Sequence, residues 1–385
     1  MDFLIPEELG KIRTETREFV KNELEPFAAE VESKNEIPQH VIDKMKKKGY
    51  FGLTIPKEYG GSGIGKLELS LIQEEMAKSH IAFLDLISIN NGLGSHSIVL
   101  EGNEDQKRKY LPRLATGEII SAFALTEPNA GSDAANISTK ADRRGSDFIL
   151  NGLKHYITNA PIADIFIVMA LTDSRLRSRG GITAFVVEKG TPGLSIGSIH
   201  NKMGYRGSHQ SEVIFEDAPV PEENVIGEVG QGFVIALKTI DESRIEVAAT
   251  SIGMAERLLE LSIEHSQKTL RLGRPLSEYQ SVQWLLADMA TEIYASRMML
   301  YDAAAKRDRK ERVRLEAAMC KLYASEMLAR VVDKALEISG GEGYVKGTTI
   351  ERMCRDARLL RIFDGTSEIH RIVIGRGLLK GERII

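Results

Sequence analysis

The chain has 385 residues and a formal net charge of −4, with 42% hydrophobic and 28% charged residues. That balance excludes a disordered chain, and it argues against a nucleic-acid grip, which needs a clustered Lys/Arg face. Two cysteines, Cys320 and Cys354, exclude a disulfide framework and a four-cysteine metal site. No apolar run approaches the ~20 residues that span a bilayer, so no membrane contact is expected. The start of the chain carries Asp2, Glu7 and Glu8 and lacks the basic, apolar character of a targeting segment. The expectation is a soluble cytoplasmic protein of roughly two or three domains.

Residues 1–120 read as a helical domain. Ile12, Phe19, Val20 and Phe27 give an amphipathic pattern over Glu7 to Phe27. Pro38, Pro56 and the glycine-rich Tyr59–Gly63 punctuate it, and further helices are predicted over Leu67 to Lys78 and from Ile81. Residues 121–228 change character. Short strand-like segments at 121–125, 148–150, 154–158, 165–171, 183–188 and 213–216 are separated by turn residues, which predicts a small β barrel or sandwich. Residues 229–385 return to helices. Val313, Ala317, Cys320, Ala324, Met327, Val331, Ala335 and Ile338 alternate spacings of four and three, a bundle seam, and Val282, Leu285, Leu286, Met289 and Ile293 give a second. Gly340 and Gly341 stop the first of these helices. The fold class expected is mostly α with a central β domain: an N-terminal helical domain, a small β domain and a C-terminal four-helix bundle.

Three segments carry polar chemistry. Thr126–Asp133 is a small-residue loop after an apolar strand, whose amides and hydroxyls can approach a ligand closely; the plainer reading is a capped turn. Lys154–Asn159 is a strand whose alternation puts Tyr156 and Thr158 on one face, opposite His155 and Ile157. A flat aromatic beside a hydroxyl suits a planar cofactor, and the plainer reading is a cross-strand pair. Phe363–Ile369 places Asp364 between an aromatic and a glycine at a helix start. Desolvation there raises a carboxyl toward a useful general base; the plainer reading is an N-cap, with Glu368 in the first turn.

In this order, Thr126-Glu-Pro-x-Ala-Gly-Ser-Asp, Lys154-x-Tyr-Ile-Thr-Asn and Asp364-Gly-Thr-Ser-Glu resemble the acyl-CoA dehydrogenase family. Lys202-Met-Gly with Arg206, Phe215-Glu-Asp, Val220-Pro-x-x-Asn and Gly230-Gln-Gly-Phe extend the resemblance over essentially the whole chain. It implies a flavin enzyme holding FAD: a carboxylate removes the α-proton of an acyl-CoA thioester and the β-hydride passes to the flavin, giving an enoyl-CoA. It also implies an electron-transferring flavoprotein or similar acceptor and a homotetramer. Asp364 then falls at the base, with its own amide as a donor to the thioester carbonyl. Thr126 and Thr158 fall at the isoalloxazine with Tyr156 packed on it, and Phe123, Leu125 and Gly131 belong to the same cofactor wall. Ser132 falls at the flavin phosphates or the CoA arm, and Asp241, Arg244 and Gly365 at the thioester and CoA end. Gln280, Gly340, Gly341, Thr366 and Glu368 fall at the adenine-nucleotide half of FAD across a subunit contact.

Four features depart from or extend this pattern. The usual base is glutamate, and aspartate reaches roughly 1.5 Å less, which matters where reacting atoms approach within ~3–3.5 Å. Some relatives take the base from the position of Ser243; Glu242 and Glu246 beside it are expected to face elsewhere. Thr269 and Leu272 replace an Arg and a Phe of the partner-subunit grip on FAD, with Arg271 and Arg274 flanking, and Glu337 replaces a Gln. Asp85, inside the apolar run Ile81–Ile87, has as its plainer reading a solvent-facing residue on an amphipathic helix, and it falls where the family lines the far end of the acyl pocket, as a pocket floor or second base. A carboxylate there is costly beside a long alkyl tail, so a compact or cyclic acyl group, such as cyclohexane- or cyclohexenecarboxyl, is expected. The alternatives are a short- or branched-chain acyl-CoA dehydrogenase, a flavoenzyme of the same fold with other chemistry, and a silent acyl-CoA-binding scaffold.

Overall fold

The structure, a computed structural model, describes residues 6–383; Met1–Ile5, read above for targeting character, and the last two residues lie outside it. The amphipathic stretch from Glu7 is not one helix. It forms α1 (Glu7–Phe19), then a π turn over Val20–Leu24 and a 3-10 turn over Glu25–Phe27. Pro26 explains the break, because it has no N–H to continue the ladder. Then come α2 (Ala28–Lys34), α3 (Gln39–Lys47), α4 (Lys66–Met76), α5 (Ile81–Ile89), α6 (Ser95–Glu101) and α7 (Glu104–Thr116). A capping box of Asn103 and Gln106 starts α7.

The strands are β1 (Ser121–Ala124), β2 (Lys140–Arg144), β3 (Asp147–Thr158), β4 (Ile165–Leu171), β5 (Ile182–Glu188), β6 (Leu194–Ile199), β7 (Gln210–Pro221) and β8 (Val225–Ile226). They join in one eight-stranded sheet, in the order β6-β7-β3-β2-β4-β5-β8, with β1 added parallel to β4. The two segments expected at 148–150 and 154–158 are one strand. Its register against β7 shifts between Leu150 and Gly152 and again between Lys154 and Ile157, and such bulges interrupt the alternation that sequence periodicity relies on. β4 and β5 are buried almost throughout.

The rest is helical: α8 (Gly232–Lys268), a ribbon of β9 (Leu270–Arg271) and β10 (Arg274–Pro275), α9 (Gln280–Asp308), α10 (Arg314–Gly343), α11 (Thr349–Ala357) and α12 (Ser367–Leu379). The helix, sheet, helix order expected from the sequence is the observed one. Every member of the Val313–Ile338 seam is buried. In the second seam only Met289 and Ile293 are, and Val282, Leu285 and Leu286 stay half-buried. Gly340 breaks the helical conformation at φ 56°, ψ −140°.

The long helix α8 runs ~55 Å at 1.5 Å per residue, and every residue from Ser243 to Ala255 is buried. It crosses α4 so closely that a Cβ on Gly253 would lie 2.1 Å from the carbonyl oxygen of Glu74. Only backbone relaxation accommodates such a methyl, and overpacking of that kind costs about 1–3 kcal/mol. Gly253→Ala is therefore expected to lower the midpoint of denaturant unfolding by that order, and an unchanged midpoint contradicts the close crossing.

Candidate active site

Two of the three polar segments are tied into one unit. Lys154 is fully buried on β3. Its ammonium donates to the carbonyl of Leu125 at 3.1 Å and to Glu127 at 2.8 Å. The Glu127 carboxylate also accepts from the backbone N–H and hydroxyl of Ser138, both at 2.6 Å, and from the N–H of Thr139 at 2.9 Å. Burial works against the charge, but Lys154 and these donors hold Glu127 down to about 2. The N–H of His155 completes the tie by donating to the carbonyl of Thr126 at 2.8 Å. Thr126, flanked on both sides by groups that Lys154 grips, is thus fixed beside β3.

The bulge after Lys154 turns Tyr156 outward. It sits at φ 57° and is 58% exposed, its ring 4.0 Å from that of His155 and 4.9 Å from that of His200. Thr158 is half-buried, and its hydroxyl accepts from Gln210 at 2.9 Å. Phe123 is half-buried, Leu125 buried, and Gly131 and Ser132 exposed. The open aromatic face, the fixed Thr126 and Thr158, and the small-residue loop beside them fit one end of a flat heteroaromatic cofactor. The loop is a turn, as its plainer reading expects, with Glu127 and Ala130 exchanging backbone hydrogen bonds at 3.1 Å, but Asp133 makes no capping hydrogen bond to the 3-10 turn that follows.

The third segment lies in the helical bundle. Asp364 and Gly365 both take left-handed conformations, φ 52° and 93°. The helix cap is Thr366, whose hydroxyl accepts from the N–H of Ile369 at 3.3 Å; Asp364 is therefore not the cap. The carboxyl of Asp364 lines a cleft walled by α5, α8 and the loop before β7, together with Asp85, Ser243, Glu246 and Tyr205 and the apolar Ile81, Leu84, Leu93, Val247 and Phe363. Burial raises it to about 6; Lys321, the Ser243 hydroxyl and Arg244 work against that rise, and Glu246 adds to it. The amide N–H of Asp364 has no backbone partner among the described residues.

Asp85 is buried on α5 at the same cleft and accepts a hydrogen bond from the Ser208 hydroxyl. Burial raises its pKa, opposed by that hydroxyl and by Lys202. The expectation that Glu246 faces elsewhere fails. It is three residues from Ser243, and positions i and i+3 share a helix face. Glu246 lines the cleft, held by Lys66 at 2.9 Å and Gln73 at 3.1 Å. Glu242 does point away, paired with Lys66 and Arg307. Arg244 is buried against Asp241.

Sequence reasoning missed Tyr205. It is buried at φ 55°, its N–H donates to Asp356 at 2.6 Å, and burial together with Asp85, Asp356 and Asp364 pushes its phenol well above the ordinary value. The unusual position of a large aromatic in the Lys202-Met-Gly loop was the available signal.

Gln280, Gly340, Gly341 and Glu368 are exposed on the bundle, outside the cleft. Leu272 is 97% exposed, and Glu337 is exposed and faces away from the core. The guanidinium of Arg274 lies 4.0 Å from the ring centre of Tyr279.

Removing one member of a buried ion pair strands the other, typically at a cost of about 3–5 kcal/mol. Lys154→Met is expected to lose stability of that order in thermal or urea unfolding and to weaken binding of any flavin at Thr126. A loss below about 1 kcal/mol contradicts the role of the clamp.

Comparison with known proteins places this geometry. Acyl-CoA dehydrogenase N-terminal, middle and C-terminal domains match residues 6–118, 122–218 and 230–379. The chain is 42% identical over 382 residues to acryloyl-CoA reductase (NADH) of Anaerotignum propionicum, covering 99% of this chain and 96% of that one. It is 40% identical over 374 residues to the short-chain specific acyl-CoA dehydrogenase of Clostridium acetobutylicum, covering 97% and 98%. The solved butyryl-CoA dehydrogenase from Megasphaera elsdenii superposes with a TM-score of 0.95 at 38% identity, covering 98% and 100%. The chain belongs to the acyl-CoA dehydrogenase family and is an enzyme, an oxidoreductase of CH–CH bonds.

Proposed function

We propose that the protein is an FAD-dependent acyl-CoA dehydrogenase in which Asp364 removes the α-proton, acting on a compact or cyclic acyl group such as cyclohexane- or cyclohexenecarboxyl. The observation that carries this is a carboxyl raised to about 6 by burial, facing a largely apolar cleft, with its own amide N–H unspent. Bound FAD supplies the hydride acceptor. Thr126 and Thr158 orient it and Tyr156 covers it, while Phe123, Leu125 and Gly131 wall the same end. Ser132 lies at the flavin phosphates or the CoA arm.

The α-proton beside a thioester is weakly acidic, so negative charge developing on the carbonyl oxygen needs a fixed donor. The Asp364 amide is placed for that, in a turn fixed by its neighbours. Asp241, Arg244 and Gly365 lie at the same end and hold the thioester and CoA. Gln280, Gly340, Gly341, Thr366 and Glu368 serve the adenine-nucleotide half from a neighbouring subunit of a homotetramer. In support, Trp284, Tyr294 and Leu272 leave apolar surface exposed on the bundle. An electron-transferring flavoprotein is the acceptor the family implies.

The cleft supports the substrate class through its far end. Asp85, hydrogen-bonded to Ser208, and Tyr205 place a carboxyl and two hydroxyl groups there, and a buried carboxyl is costly beside a long alkyl tail. Asp85 is either the pocket floor or a second base acting on a remote carbon. Likeness to a short-chain specific dehydrogenase and to butyryl-CoA dehydrogenase favours a second reading, a short linear acyl group.

Asp364→Asn keeps the size of the side chain but cannot take the proton. Flavin reduction followed by loss of the ~450 nm band is expected to fall at least about a hundredfold, with FAD and acyl-CoA binding retained. Because the active form is the carboxylate, the rate of the parent falls as pH drops through about 6; a near-parental rate in the variant rejects the base. For the substrate, cyclohexane- and cyclohexenecarboxyl-CoA are compared with butyryl-, octanoyl- and palmitoyl-CoA in the parent and in Asp85→Asn. The expected outcome is rejection of palmitoyl-CoA and a changed preference in the variant. Fast turnover of palmitoyl-CoA, or a variant matching the parent on every substrate, overturns the assignment.

A further inference from the structure

Lys321 on α10 is unusual for an ammonium. It is 0% exposed, and such burial is paid for only by a partner that satisfies the charge. Yet its one hydrogen bond goes to a neutral group, the carbonyl of Gly365 at 2.6 Å, and it forms no direct ion pair among the described residues. The other cations near Asp364 have carboxylate partners or lie off the cleft: Arg244 pairs with Asp241, and Lys66 with Glu242 and Glu246. Lys321 has no direct ion-pair partner among the described residues and lies next to the turn that carries Asp364; Glu326 and Glu368 act on it only at longer range.

We infer that Lys321 is the positioning residue of the base: its ammonium pins the left-handed Asp364-Gly365 turn through the Gly365 carbonyl and, as a buried charge with no direct ion pair, keeps Asp364 in the carboxylate form. This rests on Asp364 being the base. The charged and titratable groups around it are Lys321 from α10, Arg244 and Glu246 from α8, Asp85 from α5, Tyr205 from the loop before β7, and His370 from α12. Glu246 opposes Lys321, and its charge is shared with Lys66 and Gln73. His370 is fully buried, and burial first, then Lys321 and Arg244, depress it to about 3, so it stays neutral over the working range.

Lys321 lowers Asp364, so removing its charge raises the Asp364 pKa above about 6. Burial lowers Lys321 itself to about 8, with Asp364 opposing. Carboxylate and ammonium therefore coexist between about pH 6 and 8, and the pair fails on the acid side by protonation of Asp364.

Lys321→Met removes both charge and donor; Lys321→Gln removes the charge and keeps an amide donor for Gly365. The first measurement is the titration of the Asp364 carboxyl in the substrate-free holoenzyme, by infrared difference against Asp364→Asn in the same background. The second is the pH dependence of flavin reduction by butyryl-CoA. Both variants are expected to move the carboxyl midpoint and the acid limb upward by about one pH unit, which lowers the ionised fraction at pH 6 about fivefold. On the plateau above the limb, Lys321→Gln retains more activity than Lys321→Met. An unmoved carboxyl midpoint in either folded, FAD-loaded variant overturns the inference. Failure of the base assignment reads differently: Asp364→Asn then reduces its flavin normally, while the infrared midpoint still responds to Lys321.

Discussion

Partial withdrawal of the Asp364 carboxyl from water is the constraint on which the groups around it are arranged. A lone buried carboxylate is unstable and takes a proton instead, whereas one bound tightly to a cation is too weak a base to serve near neutrality. A value of about 6 lies between these limits. It is reached because the surrounding ions are mostly spoken for. Asp241 shares Arg244, and Lys66 and Gln73 hold Glu246. What reaches Asp364 is a residual field rather than a salt bridge. The backbone has to deliver these groups from separate elements. α8 brings Ser243, Arg244 and Glu246 on one buried stretch, α10 brings Lys321, and the turn before α12 brings Asp364. The close crossing of α8 over α4 at Gly253 sets the depth at which that stretch lies.

The sheet domain solves a different problem, holding a polar loop still without covering it. Lys154 reaches from β3 beneath the loop and satisfies Leu125 and Glu127, on either side of Thr126, while Glu127 pins the return of the chain at Ser138 and Thr139. All of these partners are internal, so the outer faces of Thr126, Tyr156 and Thr158 remain available. The bulge that lets Lys154 point inward and Tyr156 outward is part of the same device, since strict alternation puts both on one side.

Much of this was legible in the sequence where one element carries the signal alone. The Val313–Ile338 seam needs only helical spacing and is buried throughout. The chemistry-bearing motifs are contiguous segments, so they can be found without the fold. The groups that tune Asp364 are not contiguous with it. Lys321 reads as a charge on an amphipathic helix until the turn that follows α11 is folded against α10. Glu246 was set aside by an argument that holds for adjacent residues and not for a spacing of three. The break after Phe19 and the continuity of β3 are similar cases: local patterns cannot show where a π turn or a bulge absorbs one residue.

The cleft finally sets two carboxyl groups in unlike surroundings. Asp364 lies beside the Ser243 hydroxyl, which donates to the Ile240 carbonyl, and feels Lys321 and Arg244, while Asp85 accepts from Ser208 and feels Lys202. Burial raises both, and a buried phenol, Tyr205, faces the two of them. Unlike surroundings for paired carboxyl groups are how a site divides proton-accepting and proton-donating work. The stronger cationic support lies at Asp364, beside the unspent amide, which favours the charged form there. Asp85 sits deeper among α5 side chains, and at 9% exposure its charge is costlier to keep. Between the two carboxyl groups the cleft is lined by the apolar Ile81, Leu84, Leu93, Val247 and Phe363. The Ser208 hydrogen bond is what satisfies Asp85 there, and an apolar group in place of Ser208 leaves a buried carboxyl unpaired.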